Sequence, residues 1–320
     1  MQSVAGVLFL AAAFSLAGTS IIAGKLVCGL LGPFTITTAS LFFALLGLLP
    51  LYGRSVLGSL GRLTGHDWRR LLLQALLGIF LFRLLLLLGL QHTSAGEAGL
   101  LTGATPAFTA LLGWLFLREP LNPVRCLGIG CTVTGILTIQ GLWSAGIILA
   151  GDHLAGNLLI LGAALSESLF NLLSRSSSIN NAAGQSLIAN PAAWTTLVVY
   201  MALLLCLGPA IAENQTAALL LLPASGWAAL AWYGLFVTAL AFICWYQGIK
   251  RCDVAVAAAF SGLMPLTALI LSVLLLNEQV NWSHWAGGLL IVLGMWLLTD
   301  TKLMDQGLQV LRQVRKTLAG

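Results

Sequence analysis

The chain has 320 residues, 59% of them hydrophobic and 8% charged, with a formal net charge of +5. A soluble globular domain carries about 25% charged residues, so this composition cannot clothe a surface that faces water, and the apolar exterior must face lipid. The basic residues are too few and too dispersed for a nucleic-acid partner and read instead as membrane-orientation signals.

A membrane-spanning helix needs about 20 mostly apolar residues. Such runs are predicted at 4–25, 33–51, 70–90, 95–117 and 124–142, then at 155–174, 186–207, 227–248, 254–276 and 284–300. The first run has no Lys or Arg before it, unlike a secretory signal, and is expected to stay in the membrane. The stretches 143–150 and 217–222 are apolar but too short to cross.

An even number of spans puts both termini on one side. If that side is the cytoplasm, it holds thirteen of the fifteen basic residues, from Arg54 to Lys316. Of the other two, Lys25 sits at the outer end of the first span and Arg83 lies inside the third. In the tail, 301–320, Leu308, Leu311, Val314 and Leu318 recur at helical spacing beside Arg312, Arg315 and Lys316. The tail reads either as a basic amphipathic cytoplasmic helix on an anionic leaflet or as a solvated end.

The chain repeats itself. Residues 89–139 align without a gap on 248–298 at an offset of 159, pairing Gly89 with Gly248, Pro106 with Pro265, Glu119 with Glu278, Gly128 with Gly287 and Gly135 with Gly294. Nearer the start of each half, Ala5-Gly6 falls on Ala155-Gly156 and Lys25 on Arg175, at an offset of 150. The expected fold is therefore an all-α polytopic membrane protein of about ten helices, built as two five-helix repeats, 1–150 and 151–300. Five is odd, so the second repeat enters from the opposite face. Inverted repeats of this kind place a binding site near the midplane between them. Pro106 and Pro265 fall in the fourth and ninth spans, where each frees the carbonyl four residues earlier, Thr102 and Ser261. A freed carbonyl in lipid needs protein or a wet cavity, so both prolines are read as kinks lining a cavity, or as packing kinks.

The run Thr93-Ser94-Ala95-Gly96-Glu97-Ala98, then Pro106, Leu117-Arg118-Glu119-Pro120-Leu121, Gly128 and Gly135 resembles the repeat signature of EamA-type permeases of the drug/metabolite transporter superfamily. The second copy reads Asp253-Val254-Ala255-Val256-Ala257, Pro265, Leu276-Asn277-Glu278-Gln279-Val280, Gly287 and Gly294. The resemblance covers about residues 4 to 300. It implies ten helices, an inner-membrane location, export in most bacterial members, and a cavity lined by the first, third and fourth helices of each half. Glu119 and Glu278 are expected to cap the short turns into the next span.

Ionisable residues within a span are costly and mark cavities or partners. Glu167 is the deepest, with Asn171 one turn on and Ser174 and Arg175 a turn further. Glu167 followed by Arg175 resembles the first helix of the small multidrug resistance transporters, whose embedded glutamate binds protons and cations in exchange. The matching position in the first half is Ala17, so the carboxylate occurs once. Glu167 is thus expected either to bind a proton or cationic group, or to bridge to Arg83. Arg83 would receive a substrate carboxylate or pair with Glu167. Glu97, nearer the outer end, is read as a further binding residue, as hydrated, or as the partner of Lys25. Phe242 and Trp245 are candidates for stacking on substrate, or anchors at the interface.

The six cysteines form no C-x-x-C pair, so neither a zinc site nor a redox motif is expected. His66, His92, His153 and His284 fall in or beside loops and suggest no metal cluster or catalytic dyad, and no cofactor is expected. No G-x-x-x-x-G-K-[ST] motif appears, which argues against ATP-driven transport by this chain alone. The sequence therefore reads as a secondary transporter and not an enzyme. Its partners would be a small molecule and membrane lipid, it would act as a monomer, and it would export amino acids or related metabolites. A cationic multidrug exporter is the alternative, and a channel the alternative of another class.

Overall fold

In the computed structural model of the protein, residues 4–61, 63–118, 122–139, 151–180, 191–249, 251–252 and 260–299 are described, with 151–152, 175–180, 191 and 299 given by backbone alone. Among them there is no strand beyond an isolated bridge between Cys28 and Leu31. The longer helical runs are α1 (Val4–Val27), α2 (Pro33–Leu60), α3 (Gly65–His92), α4 (Ala95–Leu117), α5 (Pro123–Ile139), α6 (Gly151–Asn180), α7 (Pro191–Ala212), α8 (Ala224–Ile249), α9 (Leu263–Leu276) and α10 (Trp282–Thr299), with a single short turn of helix at Thr216–Leu220. Seven of these, α1 to α4 and α6 to α8, contain segments long and apolar enough to cross a membrane, and α5, α9 and α10 are shorter apolar helices. Glu119, Pro120, Lys250, 253–259 and the tail 301–320 lie outside the described residues.

Local chemistry sets the helix boundaries. Pro33 opens α2 at a position where its missing N–H costs nothing. Thr64 and Asp67 form a reciprocal capping box at the start of α3. Ser94 caps α4 by accepting from the Glu97 N–H at 3.2 Å, and the Asn122 side chain accepts from the Arg125 N–H at 2.7 Å ahead of α5. Both α4 and α9 end on a left-handed residue, Arg118 (φ 54°) and Asn277 (φ 52°), at positions matched by the 159-residue offset.

Two interruptions also recur. Helix α3 passes through a π segment at Leu76–Leu81, and α8 through one at Trp232–Leu240. Such segments are frequent at functional sites. Helix α4 pauses at Gly103–Ala104, just before Pro106, and the chain turns likewise at Gly262, ahead of Pro265.

Many side chains on the outside are apolar, with Leu57, Leu115, Phe116 and Leu274 each more than 60% exposed. In water each would forfeit about 2 kcal/mol of burial; against lipid the exposure costs nothing. The largest buried cluster joins Ile21, Leu86, Leu87, Leu101, Ile160 and Leu230, from α1, α3, α4, α6 and α8.

Glycines set the closest approaches. Gly128 lies against the Gly294 carbonyl, and Gly135 and Gly287 each face the other's carbonyl, so α5 and α10 run antiparallel at near backbone contact. A similar register joins α3 to α6, where Ile160 packs on Gly89, Leu85 on Gly162 and Phe170 on Gly78. Leu10 packs on Gly248, and Arg251 and Cys252 pack on Gly6, aligning α1 with α8. Small residues that let backbones approach are the usual basis of helix association in a bilayer.

Candidate functional site

The antiparallel register of α3 and α6 puts Arg83 and Glu167 at the same depth on neighbouring helices. They are not paired with each other. The Arg83 guanidinium, 6% exposed, donates to Ser40 Oγ of α2 at 2.7 Å and to Thr238 Oγ1 of α8 at 2.7 Å. It lies 4.2 Å from the centre of the Tyr233 ring, close enough for cation–π attraction. The π segment of α8 supplies both Tyr233 and Thr238, and Arg83 lies two residues past the π segment of α3. Among the described residues no carboxylate pairs with Arg83, and the cation is held by hydroxyls and an aromatic face.

Glu167, half-buried, accepts from Thr105 Oγ1 at 2.9 Å. Thr105 sits just past the α4 pause. The carbonyl freed by Pro106 is the one the sequence indicates, that of Thr102, and it accepts from the Thr105 hydroxyl at 2.9 Å. Ser168, the next residue on α6, reaches the Thr105 carbonyl at 2.8 Å. The π segment of α3 is tied to α6 by Ser166, which donates to the Leu77 carbonyl at 2.8 Å. Asn171 is half-buried one turn beyond Glu167. Pro106 is half-buried beside this site and Pro265 is buried. Phe242 and Trp245 are half-buried on α8, and Trp245 packs edge-on against Tyr246 at 5.0 Å, which bonds Thr195 at 2.8 Å.

A second polar cluster lies at one end of the bundle, where α4, α6 and α10 begin. Glu97 meets His284 Nε2 at 2.9 Å and His153 Nε2 at 3.5 Å. Thr93 and Asn157 also bond this carboxylate, at 3.1 and 3.3 Å. The two histidines, placed beside loops by the sequence, thus converge on a carboxylate far from both in the chain. Among the described residues no group of His, Cys, Asp and Glu side chains is arranged to hold a metal ion.

Lys25 lies at the same end but does not reach Glu97. Its Nζ donates to the Leu90 and Thr93 carbonyls at 2.6 and 2.7 Å, closing the last turn of α3. Beside it opens a cavity of about 470 Å³, lined by Lys25, Cys28, Gly32, Gln91 and Gln215 among others. Residue 175 lies near the far end of α6, and its side chain is outside the described set.

Glu278 does not cap the turn into α10. It reaches across to α4, where its two oxygens accept from the Ala95 and Gly96 N–H groups at 2.7 and 2.9 Å. Glu213, which the sequence did not single out, serves α2 likewise. It accepts from Phe34 N–H at 3.0 Å, Thr35 N–H at 2.8 Å and the Thr35 hydroxyl at 2.6 Å.

A helical bundle that shows apolar side chains outside and holds ionisable residues within defines a multi-pass membrane protein. The EamA-like transporter family matches the chain twice, over residues 4–140 and 154–300. The chain belongs to that family, whose members are transporters and not enzymes. It is 32% identical over 294 residues to the uncharacterized transporter YetK of Bacillus subtilis (strain 168), covering 92% of this chain and 86% of that one. It is 27% identical over 229 residues to a probable terminal-alkyne amino-acid exporter of Streptantibioticus cattleyicolor, covering 69% of each. A solved crystal structure with 20% identity superposes with a TM-score of 0.56 over 92% of this chain and 96% of that one, a likeness of fold.

Proposed function

We propose that the protein is a secondary transporter that exports amino acids or related small metabolites across the inner membrane by alternating access. It would act as a monomer with proton coupling at Glu167. The observation that carries this reading is the pair of opposite charges at one depth, Arg83 and Glu167, each bonded to hydroxyls and not to the other. A zwitterionic amino acid complements such a pair, its carboxylate toward Arg83 and its ammonium toward Glu167. The amino-acid exporter among the relatives supports the substrate class.

Ten spans in two inverted repeats are supported by the way matched glycines meet. Gly128 corresponds to Gly287 and Gly135 to Gly294 in sequence, yet the contacts run crosswise, Gly128 to Gly294 and Gly135 to Gly287. Leu10 on Gly248 and Ile160 on Gly89 repeat the pattern. Crosswise contacts between antiparallel helices are what a two-fold axis in the membrane plane produces. The positive-inside bias then sets both termini in the cytoplasm, with the Glu97 cluster on the outer side.

Flux into liposomes of purified protein tests the assignment, with L-leucine, L-methionine and L-threonine as zwitterions and tetraphenylphosphonium as a cation. Arg83→Ala is expected to slow amino-acid flux about 10- to 100-fold, the equivalent of one charge-assisted bond. Glu167→Gln is expected to abolish its pH dependence. Saturable flux of tetraphenylphosphonium alone would favour a cationic drug exporter, and unit current steps in a planar bilayer would favour a channel.

A further inference from the structure

We propose that Thr105 is the positioning residue that ties the proton on Glu167 to the break in α4, an inference that rests on the reading of Glu167 just given. Thr105 is buried, and its hydroxyl faces two acceptors, Glu167 Oε2 and the Thr102 carbonyl, each at 2.9 Å. A threonine hydroxyl has one hydrogen to donate. The Thr102 carbonyl has lost its helical donor to Pro106. Around it the chain turns through shorter bonds, from the Gly103 N–H to the Leu100 carbonyl and from the Ala104 N–H to the Leu101 carbonyl, both at 3.0 Å. The two acceptors therefore compete for one hydrogen.

Protonation decides the competition. An ionised Glu167 has no hydrogen to offer and draws the hydroxyl to itself, because a charge-assisted bond outweighs a neutral one. The Thr102 carbonyl is then left without this donor. A protonated Glu167 instead donates to Thr105 Oγ1, and the hydroxyl turns to Thr102. Binding a proton completes a chain from Glu167 through Thr105 to Thr102, and releasing it opens that chain at the helix break. No proton travels past Glu167; only the direction of the hydrogen bonds changes.

Two features make Thr105 suited to this. The Ser168 hydroxyl lies 2.8 Å from the Thr105 carbonyl and 2.7 Å from the Ala164 carbonyl of its own helix, so α6 meets the break at its backbone as well. Among the described residues no other charge bonds Glu167. The titratable and charged side chains on the elements packed most closely against α6 are His66, Asp67, Arg69, Arg70, Arg83 and His92 in α3 and Glu97 in α4. Asp67 bonds Thr64, Arg83 bonds Ser40 and Thr238, and Glu97 bonds the two histidines. Thr105 is the polar partner of Glu167 among the described residues.

Acid-minus-base infrared difference spectra of the purified full-length protein in lipid test this without a substrate. The carboxylic C=O band that disappears in Glu167→Gln belongs to Glu167. In Thr105→Val that band is expected at higher wavenumber, and its titration midpoint is expected to move by about one pH unit, the difference between a charge-assisted and a neutral bond. Thr105→Ser should restore both, and the acid-induced amide I change should be lost in Thr105→Val. If Thr105→Val does not fold, Thr105→Cys, which lacks the methyl group and replaces the hydroxyl with a weak donor, should shift the band in the same direction. An unmoved band in Thr105→Val, or in Thr105→Cys where it stands in, overturns the proposal and leaves Glu167 as a proton site. So does a band that moves equally in Thr105→Ser. A wild-type spectrum with no band lost in Glu167→Gln overturns the Glu167 reading and this proposal together.

Discussion

Replacing Glu278 by alanine removes both acceptors from the start of α4. The Ala95 and Gly96 N–H groups, bonded at 2.7 and 2.9 Å, belong to buried residues. Each buried N–H left unpaired costs about 1–3 kcal/mol, and the lost charge at a helix N-terminus adds about 0.3–1 kcal/mol. Ser94 still holds the Glu97 N–H, so the damage stops at two donors. The expected loss is about 4 kcal/mol, or roughly 8 °C in Tm at about 2 °C per kcal/mol for a chain of this size. Glu278→Gln keeps one acceptor and should lose about half as much. A thiol-reactive fluorogenic dye reads the melt in detergent, because Cys206 and Cys244 are buried at 1% and 8% exposure and label on unfolding. If Glu278→Ala melts within about 2 °C of the wild type, the cap is not holding α4 and the reasoning fails.

Other changes have equally definite outcomes. Gly287→Ala places a methyl 2.6 Å from the Gly135 carbonyl; it should separate α5 from α10 and cost about 1–3 kcal/mol in the same melt. Gly135→Ala should cost a similar amount, and the double variant less than the sum. Glu97→Gln and His284→Ala should couple by about 1–3 kcal/mol in a double-mutant cycle. Coupling with His153, at 3.5 Å and with its side chain 44% exposed, should be less than half that. Lys25→Met leaves the Leu90 and Thr93 carbonyls without their Nζ donor and should lower stability by about 1–3 kcal/mol.

The helices were legible because lipid admits few alternatives: long apolar runs must be helical, and prolines and glycines at a fixed offset expose a duplication. Arg83, Glu97 and Glu167 were legible because an ionisable residue in an apolar run stands out. Their partners were not. Ser40, Thr105 and Thr238 bond their own backbone, at the Thr37, Thr102 and Tyr233 carbonyls, as Thr196 does at the Ala192 carbonyl, and nothing in sequence tells which of these hydroxyls also meets a charge. Tyr233 carries no mark in the sequence, and the π segment of α8 supplies it to Arg83. His153 and His284 lie 131 positions apart, and only the meeting of three helix starts brings them to Glu97. Glu278 announced a cap, but spacing alone pointed to its own turn and not to α4.

The duplication preserves packing and abandons chemistry. At the 159-residue offset Gly89, Gly128, Gly135, Pro106, the left-handed cap and the π segment recur, and the glycines among them are points where helices meet closely. At the same offset Arg83 falls on Phe242, Tyr233 on Gln74, Thr238 on Ile79 and Thr105 on Met264, and at 150 Glu167 falls on Ala17. The reason is electrostatic. A symmetric copy of Arg83 would place two buried guanidinium groups in one low-dielectric interior, and their repulsion grows as the dielectric falls. Arg83 and Glu167, contributed by different halves, give the middle of the bundle two unlike poles. Restoring symmetry by Phe242→Arg should therefore cost far more than the lost packing of one phenylalanine. A variant that melts within about 4 °C of the wild type, with its flux intact, would show that the interior tolerates a second cation and that charge did not dictate the asymmetry.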